Sequence, residues 1–477
     1  MSVFTPLRSR TAIRIYLWVL HVVLVLLILA GLWYVNYRYR LGESLLSPFP
    51  ALHRVWLPLL FLLLYVGGWL TWWFVRAVSD RTTGRHPDID SAWADIRARL
   101  DSAGIDLGRV PVFLVVGRPK SGVADFFAAT STPFSVRHDT DPLGVFATRD
   151  AVYLTVPGAS AVSWYAARLF AAAAPPVPTV AMVLPEVEAP VELMPSEAEP
   201  SAGPDAARWL KTPTVSRTDL PADQLAEAAE RLTHVCQLLA AARRPLTPAN
   251  GVVWLIPSAG TETDAVAEAT AAACKADLAA MEAALQVDCP MAVVLADAQE
   301  FAGFRELAAG LSATARTERL FGCSLPLMPN LPATDRYPMV GGAMEWTTTR
   351  LIPSLVYQRF GDAPDPLTAA RLWRVSDALY ARQNAITRII CQGLMARPDR
   401  PPMVNGVYLA ATGPDAGDRG FAAAVLTELK LTQNLVSWTD AALADEADAR
   451  RAATVGYGLI VAFAVAIGLF GWWTWYR

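Results

Sequence analysis

Cysteine and histidine are scarce in this chain: five of each are spread over 477 residues. Cys236, Cys274, Cys289, Cys323 and Cys391 are odd in number, widely spaced and contain no C-x-x-C. That excludes a disulfide framework and suits a reducing compartment. His21, His53, His86, His138 and His234 show no ligand spacing, so no structural zinc, and no metal of any kind, is expected. Charge is sparse too, at 18% of residues with a net charge of -3. A nucleic-acid partner would have no electrostatic footprint to bind. Catalytic signatures are also missing: there is no G-x-S-x-G, no H-E-x-x-H and no nucleophilic cysteine signature.

Apolar residues, by contrast, make up 53% of the chain. Ile15–Val35, Val55–Val75 and Ala453–Trp473 each run without Asp, Glu, Lys or Arg. About 20 such residues cross a bilayer core as a helix. Trp33, Tyr34, Trp72, Trp73, Trp472 and Trp473 crowd their ends, as amphipathic rings do at headgroup depth. Three transmembrane helices are expected. The first is too long for a cleavable signal peptide and is followed by no small-residue cleavage site. Arg450 and Arg451 precede the third span and only Arg477 follows it. The positive-inside rule then puts residues 77–452 in the cytoplasm and the C-terminus outside. His21 lies inside span one with no proton partner in the sequence pattern, which leaves packing against a neighbouring span as its expected role. Pro58, Gly67 and Gly68 in span two allow a kink or a close helix contact.

Between the second and third spans, five short aliphatic runs read as buried strands: Val110–Val116, Ala151–Val156, Gly251–Ile256, Met291–Leu295 and Gly406–Ala410. Helical stretches such as Leu225–Ala242 and Ala265–Leu285 separate them. Continuous apolar strands alternating with helices predict a mostly parallel sheet covered on both faces. The proline-rich stretch at about 174–207 carries Glu186, Glu188, Glu192, Glu197 and Glu199, a composition that predicts a disordered insertion. Leu367–Met395 has a helical period through Leu372, Val375, Leu379, Ile386 and Ile390 and reads as one long helix of a smaller helical domain.

The stretch "VPVFLVVGRPKSGVADFF", Val110–Phe127, has the layout of a strand, a phosphate-binding loop and a helix. Gly117 and Gly122 keep the G-x-x-x-x-G spacing. Val123 and Ala124 then stand where the Lys and the Ser or Thr of the motif belong. Neither can neutralise a phosphate or hold Mg²⁺. Lys120, inside the loop, is either a substitute phosphate contact or a solvated side chain.

Together with the two N-terminal apolar runs, this stretch resembles the IcmF/TssM family, inner-membrane proteins of bacterial type VI secretion systems. "RDAVYLTVPGAS" (Arg149–Ser160) is similar to that family's second nucleotide motif, and "ARRPLTPANGVVWLIP" (Ala242–Pro257) to its Arg-Pro-leading strand. "CPMAVVLADAQEFAGFRELAAGL" (Cys289–Leu311) resembles its base-recognition segment. "FGCSLP" (Phe321–Pro326) and "VNGVYLAATG" (Val404–Gly413) resemble later segments.

The resemblance implies an α-helical membrane anchor of three transmembrane helices plus a cytoplasmic α/β P-loop GTPase-like domain with a mostly parallel sheet and a smaller helical domain. The corresponding divisions are 1–79, 80–330, 331–452 and 453–477. It also implies a site that has lost its chemistry. Thr155 stands at the metal-orienting Asp position, and Gly158 keeps the phosphate-sensing glycine behind the stiff Pro157. Ala296, Asp297 and Gln299 replace the Thr, Lys and Asp of the base motif; Asp297 is expected to cap a loop-to-helix junction.

A non-catalytic pseudo-GTPase scaffold without cofactors, in the bacterial inner membrane, is the implied function. Its implied partners are copies of itself, a TssL-like membrane protein, baseplate components and the lipid bilayer. The family continues beyond its third span into a periplasmic region, so a chain ending at Arg477 implies a short form or a separately encoded periplasmic part. Two other readings stay open: a membrane-tethered nucleotide switch using Arg118 or Lys120, and a scaffold of another envelope machine.

Overall fold

The computed structural model describes residues 10–39, 56–69, 85–173, 220–328, 331–360, 365–397 and 403–448, with Arg450, Arg451, Thr454 and Val465. The chain divides into two compact units, Met1–Asp90 with Trp438–Arg477, and Ser91–Ser437.

In the first unit, α1 (Arg10–Tyr39) contains the stretch His21–Tyr39, long and apolar enough to cross a membrane. Helix α2 (Trp56–Trp69) is apolar but has 14 described residues, short of the roughly 20 a bilayer core needs. Among the described residues there is therefore one helix of spanning length, not three. Val55 and residues 70–75 of the second run lie outside the described residues, as does the third run apart from Thr454 and Val465. His21 has a partner after all. Its Nε2 shares a hydrogen bond with the Tyr65 hydroxyl of α2, and the two rings lie 5.8 Å apart. A helix-periodicity argument sees one helix at a time and so has no access to this pair.

Helix α3 (Pro87–Ser102) has Asp88 and Asp90 in its first turn and Arg99 in its last, the charge order the helix dipole favours. The second unit is built on an eight-stranded sheet. Its strands are β1 (Val112–Gly117), β2 (Val136–His138), β3 (Gly144–Ala147), β4 (Val152–Thr155), β5 (Gly251–Pro257), β6 (Met291–Ala296), β7 (Gly322–Ser324) and β8 (Val404–Leu409). They lie in the order β2-β3-β4-β1-β5-β6-β8-β7. The five inner strands from β4 to β8 are mutually parallel, whereas β3 runs antiparallel to β4 and β7 antiparallel to β8. All five aliphatic runs read from the sequence are the parallel strands. The three missed strands are short and lie at the sheet's margins, where neither a long apolar run nor strict alternation marks them.

Both faces of the parallel strands are covered, which is why their sequences run apolar without alternating. One face carries Phe113, Val115, Val253, Leu255, Val294 and Tyr408 in a cluster with Val123, Phe126 and Phe127 of α4 (Val123–Ala128). Trp254 leaves its indole N–H to Met291 Sδ at 3.3 Å and is fully buried. Burying a side chain of this size is worth roughly 1.5–3 kcal/mol or more relative to exposure. Helices α5 (Ala161–Ala173), α6 (Ala222–Arg243) and α7 (Asp264–Leu285) pack together. Thr263 caps α7, its Oγ1 accepting the N–H of Val266 at 3.3 Å. Arg243, at the end of α6, donates to the carbonyls of Leu107, Val110 and Thr247 and to Asn250 Oδ1. One buried guanidinium thus pins the segments entering β1 and β5.

Short helices α8 (Phe304–Ala309) and α9 (Ala313–Glu318) follow β6. Helices α10 (Ala333–Trp346), α11 (Ile352–Phe360), α12 (Pro366–Tyr380) and α13 (Gln383–Arg388) form the helical region. The expected single helix over Leu367–Met395 is broken: α12 ends at Tyr380, and α13 passes into a π-helical turn, Ile389–Leu394. Leu372, Val375, Leu379, Ile386 and Ile390 are all buried as their spacing predicts. A division at 330 does not separate two packing units, because β8 lies beyond it and joins the same sheet. Helix α14 (Ala423–Thr432) completes the apolar cluster through Val425, Leu426 and Leu429.

Candidate functional site

In open parallel sheets, ligands bind beyond the carboxyl ends of the strands, where neighbouring connections leave in opposite directions. Here that point lies between β1 and β5. Beyond β1 the chain goes to β4 on one side, and beyond β5 to β6 on the other. Residues 118–122 leave β1 at this crevice. Gly117 has φ +101°, and a Cβ there would fall 2.0 Å from the Leu255 carbonyl oxygen. Only glycine allows β1 and β5 to approach so closely.

Several of the sequence-predicted positions have a hydrogen-bond partner inside the protein. The backbone N–H of Lys120 donates to both Asp297 carboxylate oxygens, at 3.1 and 3.0 Å. Its ammonium lies 3.3 Å from Glu300, so Lys120 is neither a free phosphate contact nor a simply solvated lysine. Ser121 Oγ donates to the Thr412 carbonyl, and Gly122 N–H to the Pro119 carbonyl at 3.1 Å. Val123, at the lysine position of the motif, is buried in the apolar cluster. Ala124 N–H donates to Asp139 Oδ2 at 3.2 Å.

The base-motif positions close over the same loop. Asp297 stands at the N-cap position of the 3-10 turn Ala298–Glu300 with φ 59°, but its side chain makes no cap hydrogen bond. Its carboxylate instead accepts the Lys120 N–H and the Thr412 hydroxyl, the latter at 2.8 Å. Its own N–H donates to Thr412 Oγ1 at 3.1 Å. Gln299 Oε1 accepts the N–H of Thr412 at 2.9 Å. Ala296 ends β6 in the core. Burial pushes the Asp297 carboxyl up to about 6, opposed by the Lys120 N–H and the Thr412 hydroxyl.

Thr155 and Gly158 lie at the end of β4 and in the turn after it. Thr155 is fully buried, and its hydroxyl has no hydrogen-bond partner among the described residues. It faces Gly144 of β3, whose added Cβ would meet Thr155 Oγ1 at 2.5 Å. Gly158 N–H donates to the Pro142 carbonyl at 3.2 Å, and a Cβ on Gly158 would meet Pro142 Cα at 2.8 Å. Just beyond, the N-terminus of α5 is met by Asp277 from the middle of α7. Ser160 Oγ, Ala161 N–H and Val162 N–H donate to its carboxylate at 2.7, 2.8 and 2.9 Å. Asp277 is fully buried, and burial lifts its carboxyl to about 6 against those three donors.

Between the loop and the turn lies a cavity of about 120 Å³ walled by Arg118, Val123, Asp139, Asp141 and Pro157. Pockets for small organic ligands are usually about 300 Å³ or more. Two carboxylates on the wall oppose an incoming phosphate, and Arg118 is drawn to one of them, lying 3.9 Å from Asp141. Asp139, Asp277, Pro142 and Thr412 carry no signal in the sequence. They lie on three separate segments, and the fold of the sheet brings each to its partner.

A model of the IcmF-related N-terminal domain matches residues 226–452. That span takes in Ala296, Asp297, Gln299 and Thr412, and begins beyond Gly117–Ala124, Thr155 and Gly158. No curated protein and no solved structure matches the chain.

Proposed function

We propose, from the match of residues 226–452 to the IcmF-related N-terminal domain, that this protein is a non-catalytic, membrane-anchored scaffold subunit of a type VI secretion apparatus. Its α/β unit is read as a pseudo-GTPase that docks partners and turns over no nucleotide. One observation carries the second half of this reading. Three backbone N–H groups at the motif positions are taken by the chain's own acceptors: Lys120 by Asp297, Ala124 by Asp139, and Gly158 by Pro142. Phosphoryl transfer depends almost wholly on positioned charge around the phosphates. Val123, Ala124 and Thr155 supply none, and the nearest ionised groups are largely carboxylates.

In this reading the apolar α1 anchors the protein in the bacterial inner membrane, with the bulk of the chain in the cytoplasm. Copies of itself, a TssL-like membrane protein and baseplate components are its proposed partners, with any periplasmic part encoded separately. Titrating the full chain in nanodiscs with labelled GTP and ATP tests the nucleotide half. No saturation up to millimolar concentration supports it; micromolar, Mg²⁺-dependent binding would replace it with a membrane-tethered switch. Purification from its native host tests the other half. Recovery without any secretion-system membrane or baseplate protein would count against the scaffold, and adjacent genes for a different envelope machine would redirect it.

A further inference from the structure

The interior of the loop offers more than an absence of ligand. Asp297 lies on the turn after β6, 177 residues away from Lys120 in sequence. Yet its two oxygens share one loop N–H, that of Lys120, at 3.1 and 3.0 Å. Thr412, from beyond β8, closes the arrangement. It donates its hydroxyl to Asp297 and accepts Asp297 N–H, while its carbonyl receives Ser121 Oγ from the loop. Three chain segments therefore converge on one buried carboxylate. The other charged groups facing it are the Lys120 ammonium and Glu300, which neutralise each other at 3.3 Å.

We propose that Asp297 is a built-in anion that occupies the phosphate cradle, holding the loop closed where an ordinary member of this fold would need a bound phosphate. It is a positioning residue, and the contact is self-inhibitory: a loop N–H that would face a phosphate is held from within. The proposal rests on the reading that no nucleotide occupies the loop, and adds that vacating one side chain reopens it to a free oxyanion. Several features agree. The loop keeps its glycines and its turn. The lysine of the motif has become Val123, which belongs to the core. An acid has taken the place from which the base motif's lysine would approach the loop.

The test is hydrogen exchange of the loop amides, read by mass spectrometry over residues 117–124 of the full chain in nanodiscs, with and without millimolar inorganic phosphate. In the wild type the loop is expected to be protected and indifferent to phosphate. Asp297→Ala should speed exchange about tenfold, the loss expected for one or two net hydrogen bonds, and phosphate should slow it again. Asp297→Asn keeps an acceptor oxygen, so it should stay near wild type and ignore phosphate. If the alanine chain does not fold, Asp297→Ser carries the same comparison.

Unchanged exchange in the alanine or serine variant overturns the proposal, because the carboxylate then does not hold the loop. Faster exchange that phosphate does not reverse also overturns it, leaving only a structural hydrogen bond. Either result with no wild-type nucleotide binding leaves the scaffold reading standing. Extra protection of the wild-type loop by phosphate would sink both.

Discussion

Asp277 of α7 receives the Ala161 N–H of α5 at 2.8 Å, although 116 residues separate them. With Val162 N–H and Ser160 Oγ on the same carboxylate, the start of α5 is tied to the 22-residue α7. The contact is a cap borrowed from a neighbouring helix, and it joins the motif-derived turn after β4 to the core.

Removing that cap should be costly. Asp277→Ala leaves three buried donors without an acceptor, each worth about 1–3 kcal/mol when unsatisfied. Relaxation will recover part of this, so a loss of about 3 kcal/mol is expected, read from urea denaturation of the full chain. Exchange over residues 161–173 should rise more than exchange over β5. Equal effects on both would mean that the contact is not local to α5.

The two loop glycines should separate cleanly. Gly117→Ala drives a Cβ to within 2.0 Å of the Leu255 carbonyl at φ +101°, and a cost of about 3 kcal/mol or more is expected from strain and overpacking. Gly122 has φ +108° but nothing within 4 Å of its Cβ position, so alanine there should cost only the backbone penalty, about 1–2 kcal/mol. Thermal melting of the two variants checks the order. The first glycine of the motif is then kept for strand contact, whatever the loop binds.

Stability should fall with pH in the mildly acidic range at Asp297. Its folded carboxyl lies at about 6, above the usual 3.8. Between these values the folded state holds the proton more tightly than the unfolded chain does. The contribution is complete below about pH 4 and is lost as pH rises through about 6. Compared with Asp297→Asn, the wild type should lose on the order of 3 kcal/mol across that window. Denaturation of both proteins from pH 4 to 7 measures it, and a constant difference would contradict the shift.

In the apolar unit, the His21–Tyr65 hydrogen bond is a polar link between α1 and α2. Interhelical hydrogen bonds in membranes are worth about 0.6–2 kcal/mol. Tyr65→Phe should weaken hairpin association by about 1 kcal/mol, and His21→Phe added to it should cost little more. A double-mutant cycle in bilayers reads the coupling. Additive losses would show that the two side chains act separately.

Much of the frame was legible from residue order. Met291–Ala296 and Gly251–Pro257 are strands because unbroken aliphatic runs of that length can only be buried on both faces. Leu372, Val375 and Leu379 face the core because their spacing is that of one helix face. The breaks at Tyr380 and at Ile389–Leu394 were not legible. A π-turn shifts the phase of a helix without changing its composition, so the period continues through it.

The site divides in the same way. Spacing in the sequence alone puts Val123 and Ala124 where a phosphate loop would carry its Lys and its Ser or Thr; that Thr155 and Gln299 stand in for two acids is what the family resemblance implies. What fills the vacancy was decided only by the tertiary structure. Asp139, Asp277, Asp297 and Thr412 meet their partners across separations of 15 to 177 residues. A hydrogen bond selects for position in space, and no local pattern records which distant acid the fold of the sheet will carry to which N–H.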